Sequence, residues 1–128
     1  MSTTITTRSS NSPDTYKDKA LSNTVVGATS VPTELCGWRI INPNSTTCYV
    51  KFYNGSSGDI TLGVTEPIKE FLVASGSEIF LESDKDNPQM YFQDAMSIVA
   101  VTGLATSSTG KPILALDVEI YYYKPHFV

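Results

Sequence analysis

The sequence is poor in charge, in cysteine and in histidine, and no long apolar run occurs in it. Charged residues make up 17% of the 128, below the roughly 25% of an average globular chain. The polar surface must then come from Ser, Thr and Asn, which suits β structure better than helix. No block of Lys or Arg exists, and the net charge is −4. Nucleic acid and anionic lipid both call for a basic footprint, so neither is an expected partner. No apolar run approaches the ~18 residues that span a bilayer. Residues 1–19 lack the apolar segment of a secretory leader, so no membrane is expected and synthesis in a cytoplasm is the default.

The means for chemistry are equally sparse. The only histidine is His126 and the only cysteines are Cys36 and Cys48, which do not have the ligand spacing of a zinc site. Asp84, Asp86 and Asn87 carry oxygens that suit a hard cation, but not at the spacing of an EF-hand; a solvated turn is expected there. No GxGxxG or GxxxxGK[ST] phosphate loop is present. A Cys–His nucleophile would need Cys36 or Cys48 exposed beside His126. Glu66, Glu70, Glu78, Glu82, Asp117 and Glu119 could supply an acid and a base, yet nothing in the sequence selects two of them. An enzyme is therefore disfavoured, and no cofactor or metal is expected.

What the chain does have is a rhythm of short apolar runs. They lie at 21–26, 35–41, 47–53, 60–64, 68–73, 78–81, 89–92, 96–101 and 113–123. Gly, Pro, Asn and Asp separate them, and no window competes with a helical period. A chain of this length forms one domain with a core of its own. The spacing predicts an all-β sandwich of jelly-roll type over residues 21–128. Residues 1–20 are almost wholly small, polar or charged, with Ile5 and Tyr16 as the exceptions, and cannot bury enough to offset their ordering entropy. They are expected as a flexible N-terminal arm, disordered or ordered by a partner.

Two strands read well. In 113–124, Leu114, Leu116, Val118, Ile120 and Tyr122 fall on one face, which is expected to point inward. The run 96–101 is apolar on both parities, as in a strand covered on both sides. The segments 35–41 and 47–53 flank Asn42-Pro43-Asn44-Ser45 and are expected to form a hairpin. An odd loop pairs Ile40 with Cys48, Trp38 with Val50 and Cys36 with Phe52, and so puts every strongly apolar residue on one face. The cysteines would then lie about 13 Å apart at ~3.3 Å per residue, too far for a disulfide, and are expected as unpaired core residues.

That register sends Tyr49 and Tyr53 to the opposite face, and the last strand sends Tyr121 and Tyr123 there too. Tyrosine is enriched at interfaces. An outward set of four suits a contact between subunits, a face covered by a second sheet, or a stacking platform for a sugar. His126 and Phe127 in the apolar tail, and Ile5 and Tyr16 in the arm, are further candidate contact residues.

The string Gly37-Trp38-Arg39-Ile40-Ile41-Asn42-Pro43-Asn44, followed by Tyr49-Val50-Lys51-Phe52-Tyr53-Asn54 and later by Tyr122-Tyr123-Lys124, resembles a group of small virion proteins of tailed phages. The resemblance covers roughly residues 35–124; the segment 83–89 does not match it. It implies a β-sandwich on the outside of the particle, as a head decoration (cement) protein or part of a fibre, commonly trimeric. The expected function is thus structural: the sandwich and the arm bind the major capsid protein on the capsid exterior of the virion, after assembly in the host cytoplasm. The alternative is a fibre or tail module that binds a host-surface glycan through the tyrosines. A hydrolase using a carboxylate pair such as Asp117 and Glu119 is the third class.

Overall fold

A computed structural model describes residues 6–8 and 13–127, with backbone alone for 6–8 and 125–127. Eleven strands follow one another: β1 (Thr6–Arg8), β2 (Asp14–Leu21), β3 (Val26–Gly27), β4 (Thr33–Ile41), β5 (Cys48–Asn54), β6 (Lys69–Val73), β7 (Glu78–Leu81), β8 (Met90–Phe92), β9 (Met96–Val101), β10 (Leu116–Tyr123) and β11 (Pro125–Phe127). Among the described residues the only helical turn is a short 3₁₀ piece at Ser57–Asp59. No helix among the described residues is long and apolar enough to cross a membrane.

Two antiparallel sheets face each other, as expected of an all-β sandwich. The first runs β2-β10-β4-β7, with β8 also paired to β4, and the second runs β3-β9-β5-β6. A small third sheet pairs β1 with β11, Thr6 opposite Phe127. The core between the two sheets takes Leu21, Leu35, Ile40, Leu116, Val118 and Ile120 from the first, and Cys48, Val50, Phe52, Val73, Ile98 and Ala100 from the second. Aromatic rings bridge the gap: Trp38 of β4 lies 4.4 Å from Phe71 of β6, centroid to centroid, and Phe71 stands edge-on to Phe52 at 5.2 Å.

The expected hairpin does not form. β4 belongs to the first sheet and β5 to the second, so Ile40, Val50 and Phe52 meet across the core instead of along a ladder. Period-2 alternation only demands that both apolar faces be buried; face-to-face packing satisfies it as well as side-by-side pairing does. The Asn42–Pro43–Asn44 segment accordingly acts as a crossover. Its two amides are buried and bonded. Asn42 Nδ2 donates to Thr46 O and Val73 O at 2.9 Å each, and Asn42 Oδ1 accepts from Asn44 N. Asn44 Nδ2 donates to Leu114 O at 2.8 Å, and Leu114 N donates to Asn44 Oδ1 at 2.7 Å. One short motif thereby ties the ends of β4, β6 and the segment before β10 at one end of the sandwich.

Three further departures concern the strand assignments. Over Asp14–Leu21 the expected arm is an edge strand, paired with β10 through Tyr16↔Ile120 and Leu21↔Leu116. Only Tyr16 and Leu21 of this strand pack against the core, which is why its sequence shows no apolar alternation. The run 60–64 is not a strand. Leu114 is exposed, outside β10, whereas the rest of its expected inward set packs on the core as read.

Gly37 marks the point where β7 leaves the edge of β4 and β8 later takes its place. A Cβ there would stand 2.6 Å from Leu81 O and 2.9 Å from the Ser83 backbone, so only glycine lets the chain cross so closely.

Candidate functional site

The predicted contact residues do not share a surface. Tyr49 and Tyr53 sit on the second sheet and Tyr121 and Tyr123 on the first. Tyr53 is 1% and Tyr123 5% exposed. The platform of four outward tyrosines therefore does not exist. Ile5 lies outside the described residues, and His126 and Phe127 are placed in β11 by their backbone alone. Tyr16 is half-buried against the core, where burial and the neighbouring Asp18 carboxylate push its hydroxyl up to about 12.

Both cysteines are buried and no disulfide joins them, though not for the reason the hairpin gave. Cys48 lies in the core, in the second sheet, and burial pushes its thiol pKa up. Cys36 lies outside that core. It is the extra residue of a bulge, since Gly37 pairs with Tyr121 and Leu35 with Tyr122. The bulge turns it away from its expected neighbours, into a small depression with Leu81, Ser83 and Asn87. Of the expected hairpin core, Ile40, Cys48, Val50 and Phe52 are core residues, Trp38 packs against them partly buried, and Cys36 is the exception.

The outer faces of the two sheets differ. On the second, Tyr53, Val99 and Val101 form a separate buried cluster that Val25, Tyr49, Ile60 and Leu62 cover. The β5–β6 and β9–β10 connections are thus a roof. Lys51, fully buried on this face, donates from Nζ to Ala105 O at 2.6 Å. Burial lowers its pKa, partly offset by Glu70, which is opposite it on β6. The Tyr53 hydroxyl is buried with no hydrogen-bond partner among the described residues. The covering connections hold no strand of their own, so no strand pattern in the sequence could have shown them.

The outer face of the first sheet is open. Arg39 Nε donates to Glu78 Oε2 at 2.8 Å and stands 4.0 Å from Glu119. Tyr121 donates to Glu119 Oε1. Phe80, opposite Arg39, and Tyr91, opposite Glu34, are 59% and 51% exposed. Asp117 and Glu119, the pair named for a hydrolase, are both half-exposed, with Glu119 engaged by Arg39 and Tyr121. No group of three or more His, Cys, Asp or Glu among the described residues is placed to hold a metal ion.

At the end of the sandwich opposite the Asn42–Asn44 motif, the β3–β4, β5–β6 and β8–β9 connections surround two adjoining depressions of about 390 Å³ each, which share Ser30 and Ser56. Comparison with family models, with curated protein sequences and with solved structures finds no match to this chain.

Proposed function

We propose that this chain is a structural protein of a tailed-phage particle that docks on the outside of the capsid, with the major capsid protein as partner and a trimer as its working form. Three things support the reading. The first is the strand order. Counting β2 to β7 and then β9 and β10 as eight strands gives 1-8-3-6 over 2-7-4-5; this order supports reading the sandwich as a jelly roll, an architecture that recurs in viral capsid and lectin domains. Fold alone does not assign function, so the second support is the resemblance of the Gly37–Asn54 region and of Tyr122-Tyr123-Lys124 to virion proteins. The third carries the reading: Phe80 and Tyr91 stand more than half exposed on the outer side of the first sheet. Large apolar side chains exposed along one sheet suit contact with another protein.

In this reading the work is mechanical. Area buried between shell subunits adds free energy against the pressure of packaged DNA. The glycan-binding alternative loses its four-tyrosine platform, since two of those tyrosines are buried.

The test is the copy number of the protein in purified particles, by quantitative mass spectrometry against the shell protein. A number comparable to the shell protein is expected, and a Phe80→Ser, Tyr91→Ser double variant is expected to lower it. Absence of the wild-type protein from particles overturns the reading.

A further inference from the structure

We propose that the sandwich end formed by the β3–β4, β5–β6 and β8–β9 connections is a binding groove for a neutral oligosaccharide. This goes beyond the docking reading and does not depend on it, because it uses a different surface. The two adjoining depressions each fall within the roughly 300–1,000 Å³ of small-ligand sites. Together they form one groove across the end of the fold, long enough for more than one sugar ring.

The lining supplies what a polyol needs. Asp94 N donates to Asn54 Oδ1 at 2.9 Å, and Asn54 Nδ2 donates back to Asp94 Oδ2 at 3.4 Å. This closed pair holds both side chains and leaves Asp94 Oδ1 and the second Nδ2 hydrogen unengaged among the described residues. An acceptor and a donor side by side match two neighbouring ring hydroxyls, each of which both gives and takes a hydrogen bond. Ser56 Oγ donates to Asp59 Oδ2 at 2.9 Å, which leaves Asp59 Oδ1 as a second acceptor in the same depression. Tyr122, half-buried against the core, contributes its outer part to the lining of the adjoining one.

The groove is also built rigidly. Ser97 Oγ donates to Gly55 O at 2.6 Å, and Gly55 N donates to Ala95 O at 2.9 Å. The strand ends that carry Asn54 and Asp94 are thus tied to each other before any ligand arrives, which lowers the ordering cost of binding. Charge selects the class of sugar. Two carboxylates, Asp59 and Asp94, stand in the groove against one ammonium, Lys124, so its net charge is negative and disfavours sialic acids, uronates and sulfated glycans relative to neutral hexoses and N-acetylhexosamines.

The experiment uses the full chain on a printed array of neutral hexose and N-acetylhexosamine oligomers together with sialylated, uronate-bearing and sulfated glycans. Binding to neutral oligomers is expected, unchanged by EDTA, with ¹⁵N–¹H shift changes confined to residues 27–31, 54–60, 65, 94–95 and 122–124, which line the two depressions. Asp94→Ala and Asn54→Ala are each expected to weaken binding about tenfold or more, the loss of a charge-assisted or paired hydrogen bond. Asp59→Ala, at an exposed position, gives the same reading should the other two fail to fold. No binding to neutral glycans, binding to anionic ones alone, loss in EDTA, shifts elsewhere, or full affinity in folded Asp94 and Asp59 variants each overturn the proposal. The Phe80→Ser, Tyr91→Ser variant is expected to keep glycan binding, so failure of this proposal and failure of the docking reading remain distinct.

Discussion

The two outer faces of this sandwich begin from the same alternation and end in opposite environments. β10 and its neighbours leave Tyr121, Arg39, Glu78 and Phe80 in contact with water; β5 and β9 put Tyr49, Lys51, Tyr53, Val99 and Val101 under a roof of two long connections. Tyrosines two residues apart on a strand look alike in both cases. What separates them is distant chain: Ile60 and Leu62 from one connection, and Ala105 from the other. A sheet face is therefore buried or open according to the loops, and alternation within the strand says only which residues share it.

Substitutions on the roofed face should sharpen this contrast most. Tyr53→Ala is expected to cost about 3–5 kcal/mol in urea unfolding, the range for deleting a buried aromatic ring. Tyr121→Ala on the open face should stay within about 1 kcal/mol. Tyr53→Phe should leave stability equal or raise it, because it removes a buried hydroxyl that has no partner among the described residues. A Tyr53→Ala cost as small as that of Tyr121→Ala would mean that the roof is not formed in solution.

Next in size is Asn44→Ala. It strips two hydrogen bonds from Leu114, at the end of the β9–β10 connection, and should cost roughly 1–3 kcal/mol. Amide exchange should quicken along that connection and not on the open face. Uniform quickening would show that the motif supports the whole fold and not the roof.

A smaller effect comes from Lys51. Its pKa is lowered in the fold, so the buried charged form works against folding, and between the folded and unfolded values the unfolded chain binds more protons. Stability should therefore rise with pH through the window between the folded and unfolded lysine values, and Lys51→Met should remove that rise. Above the ordinary tyrosine pKa of 10.0 the sign reverses: Tyr16, raised to about 12, keeps its proton longer in the fold, and stability falls as pH climbs from the one value to the other. Tyr16→Phe should make that second limb shallower, with Tyr53, Tyr121 and Tyr122, raised in the same direction, supplying the rest. Both are read from urea midpoints taken against pH.

The smallest expected change in stability is that of the Phe80→Ser, Tyr91→Ser variant, within about 0.5 kcal/mol per site for exposed positions. Its effect belongs to particle binding. A large loss of stability would show that these rings are already covered within the molecule.

Much of the strand map was legible. β9 was read with its ends in place, and β4 to β7 nearly so, because apolar runs bounded by Gly, Pro and Asn need no distant information. β2 was missed as a strand because an edge strand with two core contacts carries no pattern. Cys36 was put on the wrong face because one bulge residue shifts the parity beyond it. The pairing of β4 with β5 was misread because a sandwich and a hairpin bury the same faces. The groove at the sandwich end could not be seen either: Asn54 and Asp94 are 40 residues apart, and each alone reads as a turn residue.

The pairing of β2 with β10 also sets a timetable. About a hundred residues separate Tyr16 from its partner Ile120. At ~5–20 residues per second of synthesis, β2 waits roughly 5–20 s before its neighbour exists. β4 waits likewise for β10, its partner on the other side. The first sheet can close only when its central strand arrives last, and a chain so dependent on distant pairings belongs among the slow folders, in milliseconds to seconds once complete. During that wait the sparing apolar content of β2 is an advantage, since a polar strand left without a neighbour is a poor seed for aggregation.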